Sequence, residues 1–324
     1  EEARERSSAP PAPRPEAKPK TNGTKSIPAP KGSLLAPPKQ SKEERKKELE
    51  RGRQLAAQAE KARAEVEAKT EAAAQMTAEA KTRKLAEAIL KDEEKRANDP
   101  RTIAEGERMK EELTKYWTDN ATSPILLQRH RLPSWAKQQE LIEAVERNQV
   151  IIVAGETGCG KTTQLPQFIL DNAIWQGRGA VTNMICTQPR RISATSVATR
   201  VASERGEQIG KTVGYKIRLE GSMSSNTRIL FCTTGVLLRR LTEDPLLSGV
   251  SHVIVDEVHE RSLDSDFLLV LLRDILPHRP TLKVVLMSAT LNALAFEEHY
   301  KGVSAVIQIP GFTYPMTEHY LEDI

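Results

Sequence analysis

The sequence has few cysteines, and their placement excludes two classes of protein. Cys159, Cys186 and Cys232 are the three cysteines among 324 residues, and neither a CxxC spacing nor a histidine cluster accompanies them. An odd number of dispersed cysteines is typical of a reducing compartment. It argues against a disulfide framework and against a structural zinc site.

Long apolar runs and leader-like segments are also missing. No apolar run of about 20 residues, the length that spans a bilayer, occurs in the sequence. The first residues show no charged region followed by an apolar core and a cleavage pattern. We therefore expect an intracellular protein without membrane contact, in the cytoplasm with the nucleus as the alternative. The net charge of +4 agrees with an anionic partner but does not identify one, since such a total is common.

The first hundred residues hold too few large apolar side chains to bury a core. Residues 1–40 are rich in Pro, Ala, Ser and Lys, which predicts a disordered tail. Residues 41–108 are dominated by Ala, Glu, Lys and Arg, with acid–base pairs at helical spacing such as Glu50–Arg53. This pattern predicts a solvated, partly formed helix, and the irregular apolar spacing argues against a coiled coil. A basic arm that touches RNA or a ribosome is the alternative.

The rest of the chain has the pattern of an α/β domain. We expect entry helices in residues 109–149, one of them starting at Pro133 and Ser134, and a single lobe in residues 150–324. Five apolar runs predict strands: VIIVAG (150–155), NMICT (183–187), RILFCT (228–233), HVIVD (252–256) and KVVLMS (283–288). Continuous apolar runs separated by helix-length segments are typical of a parallel sheet that helices cover on both faces.

The segment GETGCGKT follows the first predicted strand and precedes a helix-length segment. It matches G-x-x-x-x-G-K-T, a loop whose backbone N–H groups surround phosphate oxygens at a helix N-terminus. Lys161 is expected to reach the terminal phosphates and Thr162 to bind Mg²⁺. Cys159 is interpreted as a small filler and not as a reactive thiol. The predicted nucleotide-binding residues of this loop are Gly155, Glu156, Thr157, Gly158, Cys159, Gly160, Lys161 and Thr162.

Two carboxylates, Asp256 and Glu257, directly follow the apolar run HVIV. A phosphate-binding loop needs a carboxylate on another strand that faces the same metal ion. We assign Asp256 to Mg²⁺, mostly through water ligands, and Glu257 to the activation of the attacking water. The alternative is a pair of acidic residues in a solvated loop. A zinc-ligand role for His259 is less favoured, because no second soft ligand accompanies it.

Five segments in this order resemble motifs I, Ia, Ib, II and III of the superfamily 2 helicases. They are GETGCGKT (155–162), TQPRR (187–191), CTTG (232–235), DEVHER (256–261) and MSATL (287–291). The resemblance is to the DEAH/RNA-helicase-A (DExH-box) group. It implies a RecA-like P-loop lobe, an ATP-dependent RNA helicase activity that requires ATP and Mg²⁺, and tolerance of several nucleoside triphosphates.

The resemblance also implies roles for residues outside the phosphate loop. His259 would link the state of the γ-phosphate to lobe movement through Ser288 and Thr290. Arg200 corresponds to an arginine that stacks on the base of the nucleotide. The residues that correspond to contacts with the RNA backbone are Arg190, Arg191, Arg218 and Thr233. The implied partners are single-stranded or structured RNA and the proteins of ribosomes or other ribonucleoproteins.

Motifs IV, V and VI of this group do not follow MSATL within the 324 residues. The expectation is therefore an N-terminal part of a helicase, nearly inactive alone and unable to unwind RNA, because two lobes must close around one nucleotide. Two alternatives remain. One is a nucleotide-regulated adaptor that binds RNA or a ribosome, and the other is a helicase of the same group that acts on DNA or quadruplexes.

Overall fold

The structure is a computed structural model that describes residues 42–289, 300, 304–311 and 320. The predicted tail (1–40) and the predicted coupling residue Thr290 lie outside the described residues. The chain divides into two compact units, residues 1–69 and 70–324. Residues 70–108, which the sequence pattern assigns to the extension, thus belong to the same unit as the sheet.

Helices occupy most of the chain before the sheet. They are α1 (Lys42–Ala97), α2 (Pro100–Asp119), α3 (Pro124–His130), α4 (Pro133–Ala136) and α5 (Gln138–Arg147). The start of α2 is set by Asp99, whose side chain accepts a hydrogen bond from the backbone N–H of Arg101 at 2.8 Å. The helix predicted from Pro133 onward is interrupted at Lys137, which separates α4 from α5.

A mixed sheet of eight strands with alternating helices follows. The elements are β1 (Val150–Gly155), α6 (Lys161–Trp175), β2 (Met184–Gln188), α7 (Arg191–Glu204), β3 (Val213–Ile217), β4 (Glu220–Ser222), β5 (Ile229–Thr233), α8 (Thr234–Glu243), β6 (His252–Val255), α9 (Leu263–Ile275), β7 (Lys283–Ser288) and β8 (Ser304–Ile309). The strand order is β4-β3-β5-β2-β6-β7-β1-β8. Every described pair of neighbouring strands is parallel except β3 and β4.

Side chains of the central strands alternate between two buried cores, one on each face of the sheet. In β1, Ile151 and Val153 pack with α5, α6 and α7, whereas Ile152 packs with α8 and α9. Strands buried on both faces are continuous apolar runs, which is why five of them could be recognised from the sequence. The prediction of an α/β fold with helices on both faces of a mostly parallel sheet is confirmed.

The last turns of α1 are part of the core under α8 and α9. Ala86 and Ile89 are each 6% exposed and pack within that core. Glu93 accepts a hydrogen bond from Arg279 Nη2 at 2.6 Å and a second one from the Thr281 hydroxyl at 2.8 Å. One face of this part of the extension is therefore anchored to the lobe, whereas the sequence pattern predicts a helix solvated on all sides.

Arg279 is fully buried and connects α1 to the loop before β6. Besides Glu93, its guanidinium donates to the carbonyl oxygens of Leu246, Leu247 and Val250. Burial lowers the pKa of Arg279, and the charge of Glu93 opposes this change. Glu93 is thus a carboxylate counter-charge for a cation that has no access to water.

Replacement of Glu93 by alanine is expected to lower the free energy of unfolding by about 1.5–3 kcal/mol, since a charged hydrogen bond to a buried group is removed. Urea unfolding followed by circular dichroism would measure the change. Glu94→Ala, one residue further along and exposed, is the matched control and should be nearly neutral. Equal stability of the two variants would contradict a stabilising role for the Glu93–Arg279 pair.

Among the described residues, no helix combines the length and the apolar composition needed to cross a lipid bilayer.

Candidate functional site

The predicted functional segments meet at one edge of the sheet. GETGCGKT leaves the carboxyl end of β1, Asp256 follows β6, and Ala289 follows β7. The segment that contains Arg190 follows β2, and Thr233 ends β5. Loops at the carboxyl edge of a parallel sheet are where ligands bind in α/β folds, because the helix N-termini that follow the strands point there.

The phosphate-binding loop depends on two glycines with a left-handed backbone. Gly158 has φ +87° and Gly160 has φ +95°. A Cβ atom at Gly160 would lie 2.6 Å from Ser134 Oγ, so both the conformation and the packing exclude a side chain. The Ser134 backbone N–H also donates to the carbonyl oxygen of Cys159 at 3.0 Å. Helix α4 therefore packs against this loop through Ser134.

Lys161 is the first residue of α6, and its side chain is turned back into the loop. Its Nζ donates to the carbonyl oxygens of Gly155 and of Glu156, the latter at 3.0 Å, and lies 3.6 Å from Cys159 Sγ. Lys161 is 7% exposed. Carbonyl oxygens here accept the hydrogen bonds that phosphate oxygens would accept from the same ammonium group.

The loop and the DEVH segment are joined by a direct side-chain contact. The Thr162 hydroxyl donates to Asp256 Oδ2 at 2.7 Å, although the strands that precede the two residues, β1 and β6, are separated by β7. Gln188 Nε2, from the end of β2, donates to the same oxygen at 2.7 Å. Asp256 is 3% exposed, so its carboxylate is held by these donors and not by bulk water.

The oxygen atoms of Thr162 and Asp256 fit a magnesium ion. Mg²⁺ prefers oxygen ligands and usually takes one or two from the protein, with water and phosphate completing the octahedron. No group of three or more His, Cys, Asp or Glu side chains suited to a metal occurs within the described residues. The Thr162 hydroxyl and the buried Asp256 carboxylate offer two oxygen ligands, within the number that Mg²⁺ usually takes from a protein.

Glu257 has the backbone of a constrained site residue. Its φ of +54° lies in the left-handed region, which costs a residue with a Cβ about 1–3 kcal/mol. The Glu257 N–H donates to Asp256 Oδ1 at 2.9 Å, a bond that supports this conformation. Burial and the neighbouring charge of Asp256 raise the pKa of Glu257, whereas the charge of Lys161 opposes the shift. A raised pKa makes a carboxylate a better proton acceptor.

His259 connects the DEVH segment to the end of β7. Its Nδ1 accepts a hydrogen bond from the backbone N–H of Ala289 at 3.2 Å. A backbone N–H is always the donor, so Nδ1 carries the lone pair, and the Glu257 carboxylate oxygen at 3.4 Å contacts it without a hydrogen bond. The predicted partner Ser288 is buried immediately before this contact. Ala289, which lies between Ser288 and Thr290, thus provides one link between His259 and the end of β7.

Arg200 approaches the loop from α7. Its Nε donates to Glu204 Oε1 at 2.8 Å, and Glu204 Oε2 accepts from Gln164 Nε2 at 2.8 Å. Gln164 lies in the first turn of α6, directly after the phosphate-binding loop. Half of the Arg200 side chain is exposed, so a planar cation is available at the surface near the loop.

The four residues predicted to contact RNA line one open groove of about 1320 Å³. Basic side chains in its wall outnumber acidic ones by six to four. The basic residues are Arg190, Arg191, Lys216, Arg218, Arg239 and Arg240, and the acidic residues are Glu243, Asp244, Glu260 and Asp264. Thr233 also lines the groove.

Arg190 is 74% exposed and pairs with Glu260 at 3.2 Å, a weak surface contact that a phosphate could replace.

The family model for DEAD/DEAH box helicases matches residues 135–298, just over half of the chain. The chain belongs to the DEAD/DEAH box helicase family. Its sheet is therefore that of a RecA-like helicase lobe, and the DExH-box resemblance seen in the five motifs is confirmed.

Curated helicases resemble this lobe over about two thirds of the chain. The chain is 56% identical to the DExH-box ATP-dependent RNA helicase DExH1 of Arabidopsis thaliana over 216 residues, 67% of this chain and 22% of the relative. It is 58% identical to DExH3 of the same plant over 208 residues, 64% and 17%. It is 49% identical to the human ATP-dependent DNA/RNA helicase DHX36 over 221 residues, 67% and 22%. The match thus spans about a fifth of each relative.

The structure of this helicase lobe adds polar residues that the motif analysis did not assign. Gln188 bonds to Asp256, and Glu204 and Gln164 connect Arg200 to α6. A signal for Gln188 was present, because it belongs to TQPRR and directly follows the predicted strand NMICT. Glu204 and Gln164 are 40 residues apart on helices, and no sequence pattern brings them together.

Proposed function

We propose that this chain is the ATP-binding lobe of a DExH-box RNA helicase, which couples ATP hydrolysis to the remodelling of RNA or ribonucleoprotein. The observation that carries the proposal is the 2.7 Å contact between Thr162 of the phosphate loop and Asp256 of DEVH. It joins the two halves of a phosphate-and-metal site. The names of the relatives support ATP as the nucleotide and RNA as the substrate.

The residues of the site suit phosphoryl transfer to water. Backbone N–H groups of residues 156–160 and Lys161 would bind the phosphates of ATP. Mg²⁺ held by Thr162 and Asp256 would neutralise charge on the phosphate oxygens. Glu257 would accept a proton from the attacking water while a bond forms between that oxygen and the γ-phosphorus. The bond to the bridging oxygen breaks, and ADP leaves with both electrons of that bond.

A link between hydrolysis and movement is part of the proposal. His259 contacts Ala289 beside Ser288, so a shift of Glu257 or His259 on loss of the γ-phosphate would reach the end of β7. Thr290 is proposed to share this coupling role. The movement itself requires a second lobe, which the much greater length of the relatives supports. Without that lobe, the chain is proposed to hydrolyse ATP slowly and not to unwind RNA.

The basic groove is proposed to bind the backbone of RNA. Its arginines meet phosphates bidentately, and such contacts carry no information on base identity. Proteins of ribosomes or other ribonucleoproteins are proposed as further partners. A cytoplasmic location, with the nucleus as the alternative, is proposed from the dispersed cysteines alone. A DNA or quadruplex substrate is the second candidate, and the name of the DNA/RNA helicase DHX36 supports DNA.

The combined replacement Arg190→Ala and Arg191→Ala is expected to weaken binding of single-stranded RNA at low salt. The plot of log affinity against log salt concentration has a negative slope, and its magnitude should fall by about 0.7 for each phosphate that the protein no longer neutralises. Fluorescence anisotropy with labelled RNA and with DNA of the same sequence would measure both affinities. Arg147→Ala is the matched control, since Arg147 is 76% exposed and pairs with Glu143 at 3.0 Å on α5. An unchanged slope in the double variant would contradict the assignment of the groove.

A further inference from the structure

A buried carboxylate, Glu204, lies between Arg200, the residue proposed to stack on the base of the nucleotide, and α6, the helix that follows the phosphate loop. Glu204 is 2% exposed. Its Oε1 accepts from Arg200 Nε, and its Oε2 accepts from Gln164 Nε2 and Gln167 Nε2, all at 2.8 Å. Both oxygens are therefore fixed by donors from two different helices, α6 and α7.

The inner side of this carboxylate has its own counter-charge. Arg129 Nε lies 3.7 Å from Glu204 Oε2 and donates to Gln164 Oε1 at 2.8 Å. Arg129 is 1% exposed, and its guanidinium lies 5.6 Å from the ring centroids of both Trp117 and Trp135. The network is thus rigidly packed on the inside, where a buried pair needs good geometry to be tolerated.

The outer side of the same carboxylate holds a cation that faces solvent. Arg200 is half exposed, and its Nη2 reaches Gln128 Oε1 of α3 at 3.4 Å. Pairing of an exposed arginine adds little to stability, because its charge is already solvated. Arg129 also lies close to Glu204 on the inner side, so Glu204 keeps a nearby cation when Arg200 is absent, and the Arg200 contact fixes the orientation of the guanidinium.

The network is also close to the phosphate loop. The Gln164 backbone N–H donates to the Gly160 carbonyl oxygen at 2.8 Å. The Cγ atom of Gln164 lies 3.3 Å from the position of a Cβ at Gly160. Glu204 and Gln164 therefore connect the Arg200 guanidinium to the loop that would hold the phosphates. Glu204 and Gln164 would therefore link the position of a base stacked on Arg200 to the position of phosphates bound in the loop.

We propose that Glu204 is a positioning residue for nucleotide recognition. It holds the Arg200 plane at a set distance from the phosphate loop, and so provides the preference for a complete nucleoside triphosphate over phosphate alone. The proposal rests on the base-stacking role of Arg200 in the proposed function. Gln128 acts as a second, weaker acceptor that limits rotation of the same guanidinium.

The test compares two ligands of this chain by isothermal titration calorimetry: MgATP and magnesium-bound inorganic tripolyphosphate, which has no base. Arg200→Ala is expected to weaken MgATP binding about two- to fivefold, the contribution of an exposed cation–π contact, and to leave tripolyphosphate binding unchanged. Glu204→Gln should give the same pattern. The double variant should be no weaker than either single variant, since both remove one interaction. Thr199→Ala, an exposed neighbour on α7, is the control.

Each outcome has a distinct meaning. If Glu204→Gln weakens both ligands equally, Glu204 supports only the phosphate loop, and the positioning role is overturned. If Arg200→Ala changes neither affinity, the base-stacking role proposed for Arg200 fails, and the positioning role fails with it. Thermal unfolding would show whether Glu204→Gln is folded. If it is not, Glu204→Asp decides, because it keeps the charge opposite Arg129 but withdraws the carboxylate from Arg200. It should lower the affinity for MgATP alone.

Discussion

Replacement of Lys161 by alanine is expected to weaken MgATP binding by about 3–5 kcal/mol, at least a hundredfold, because a buried charged partner is removed. The Lys161 ammonium is held within the phosphate loop by the carbonyl oxygens of Gly155 and Glu156. Phosphate oxygens would replace these acceptors and gain a charge-assisted contact in a site with little water. No other lysine or arginine belongs to the loop sequence GETGCGKT.

Calorimetric titration of the chain with MgATP would measure this weakening. Lys137→Ala is the matched control, because Lys137 is also a lysine at the start of a helix but pairs with Glu140 at the surface, at 2.6 Å. The control should bind MgATP as the unchanged chain does. Binding of the Lys161→Ala variant within a factor of about three of the control, less than 1 kcal/mol, would overturn the assignment of the loop.

Replacement of Glu257 by glutamine is expected to separate binding from turnover. Loss of a positioned general base lowers the rate of hydrolysis by about 10²–10⁴-fold. Binding should change little, since Glu257 is proposed to contact the attacking water and not the phosphates. RNA-stimulated phosphate release by the full-length protein is the appropriate measurement. Glu140→Gln on the surface of α5 is the control, and retained RNA-stimulated hydrolysis in Glu257→Gln would exclude Glu257 as the base.

The pH dependence gives a second check on Glu257. A carboxylate accepts a proton only when it is ionised, so the rate should rise as pH increases through the pKa of Glu257. Burial and Asp256 raise this pKa above the ordinary glutamate value, which moves the acidic limb of the profile to higher pH. That limb should be absent in the residual activity of Glu257→Gln.

The central part of the fold could be predicted from the sequence, whereas the sheet edges could not. β1 and β7 have the predicted bounds, because strands buried on both faces are continuous apolar runs. β3, β4 and β8 were missed. Val306 of β8 is 41% exposed, and β4 has three residues, none of them apolar except a glycine. Pairing with a neighbouring strand, and not local composition, makes such segments into strands.

In the site, too, the contiguous motifs could be predicted from the sequence, whereas contacts between residues far apart in the chain could not. The phosphate loop and DEVH are contiguous motifs, so their meeting at Thr162 and Asp256 could be expected from strand ends alone. The network around Glu204 could not be, because glutamine and glutamate on helices resemble surface residues in a sequence. Their burial follows from the packing of α3, α6 and α7 together, which no single segment encodes.

The buried pair of Arg279 and Glu93 bears on where the folding unit begins. The helicase family match starts at residue 135, yet Glu93, Trp117 and Arg129 all precede it and contact residues within it. A fragment cut at that boundary would leave Arg279 without its carboxylate and Glu204 without its inner arginine. The family model therefore begins inside the packed structure, whose buried contacts extend at least 40 residues further toward the N-terminus, from residue 135 to Glu93.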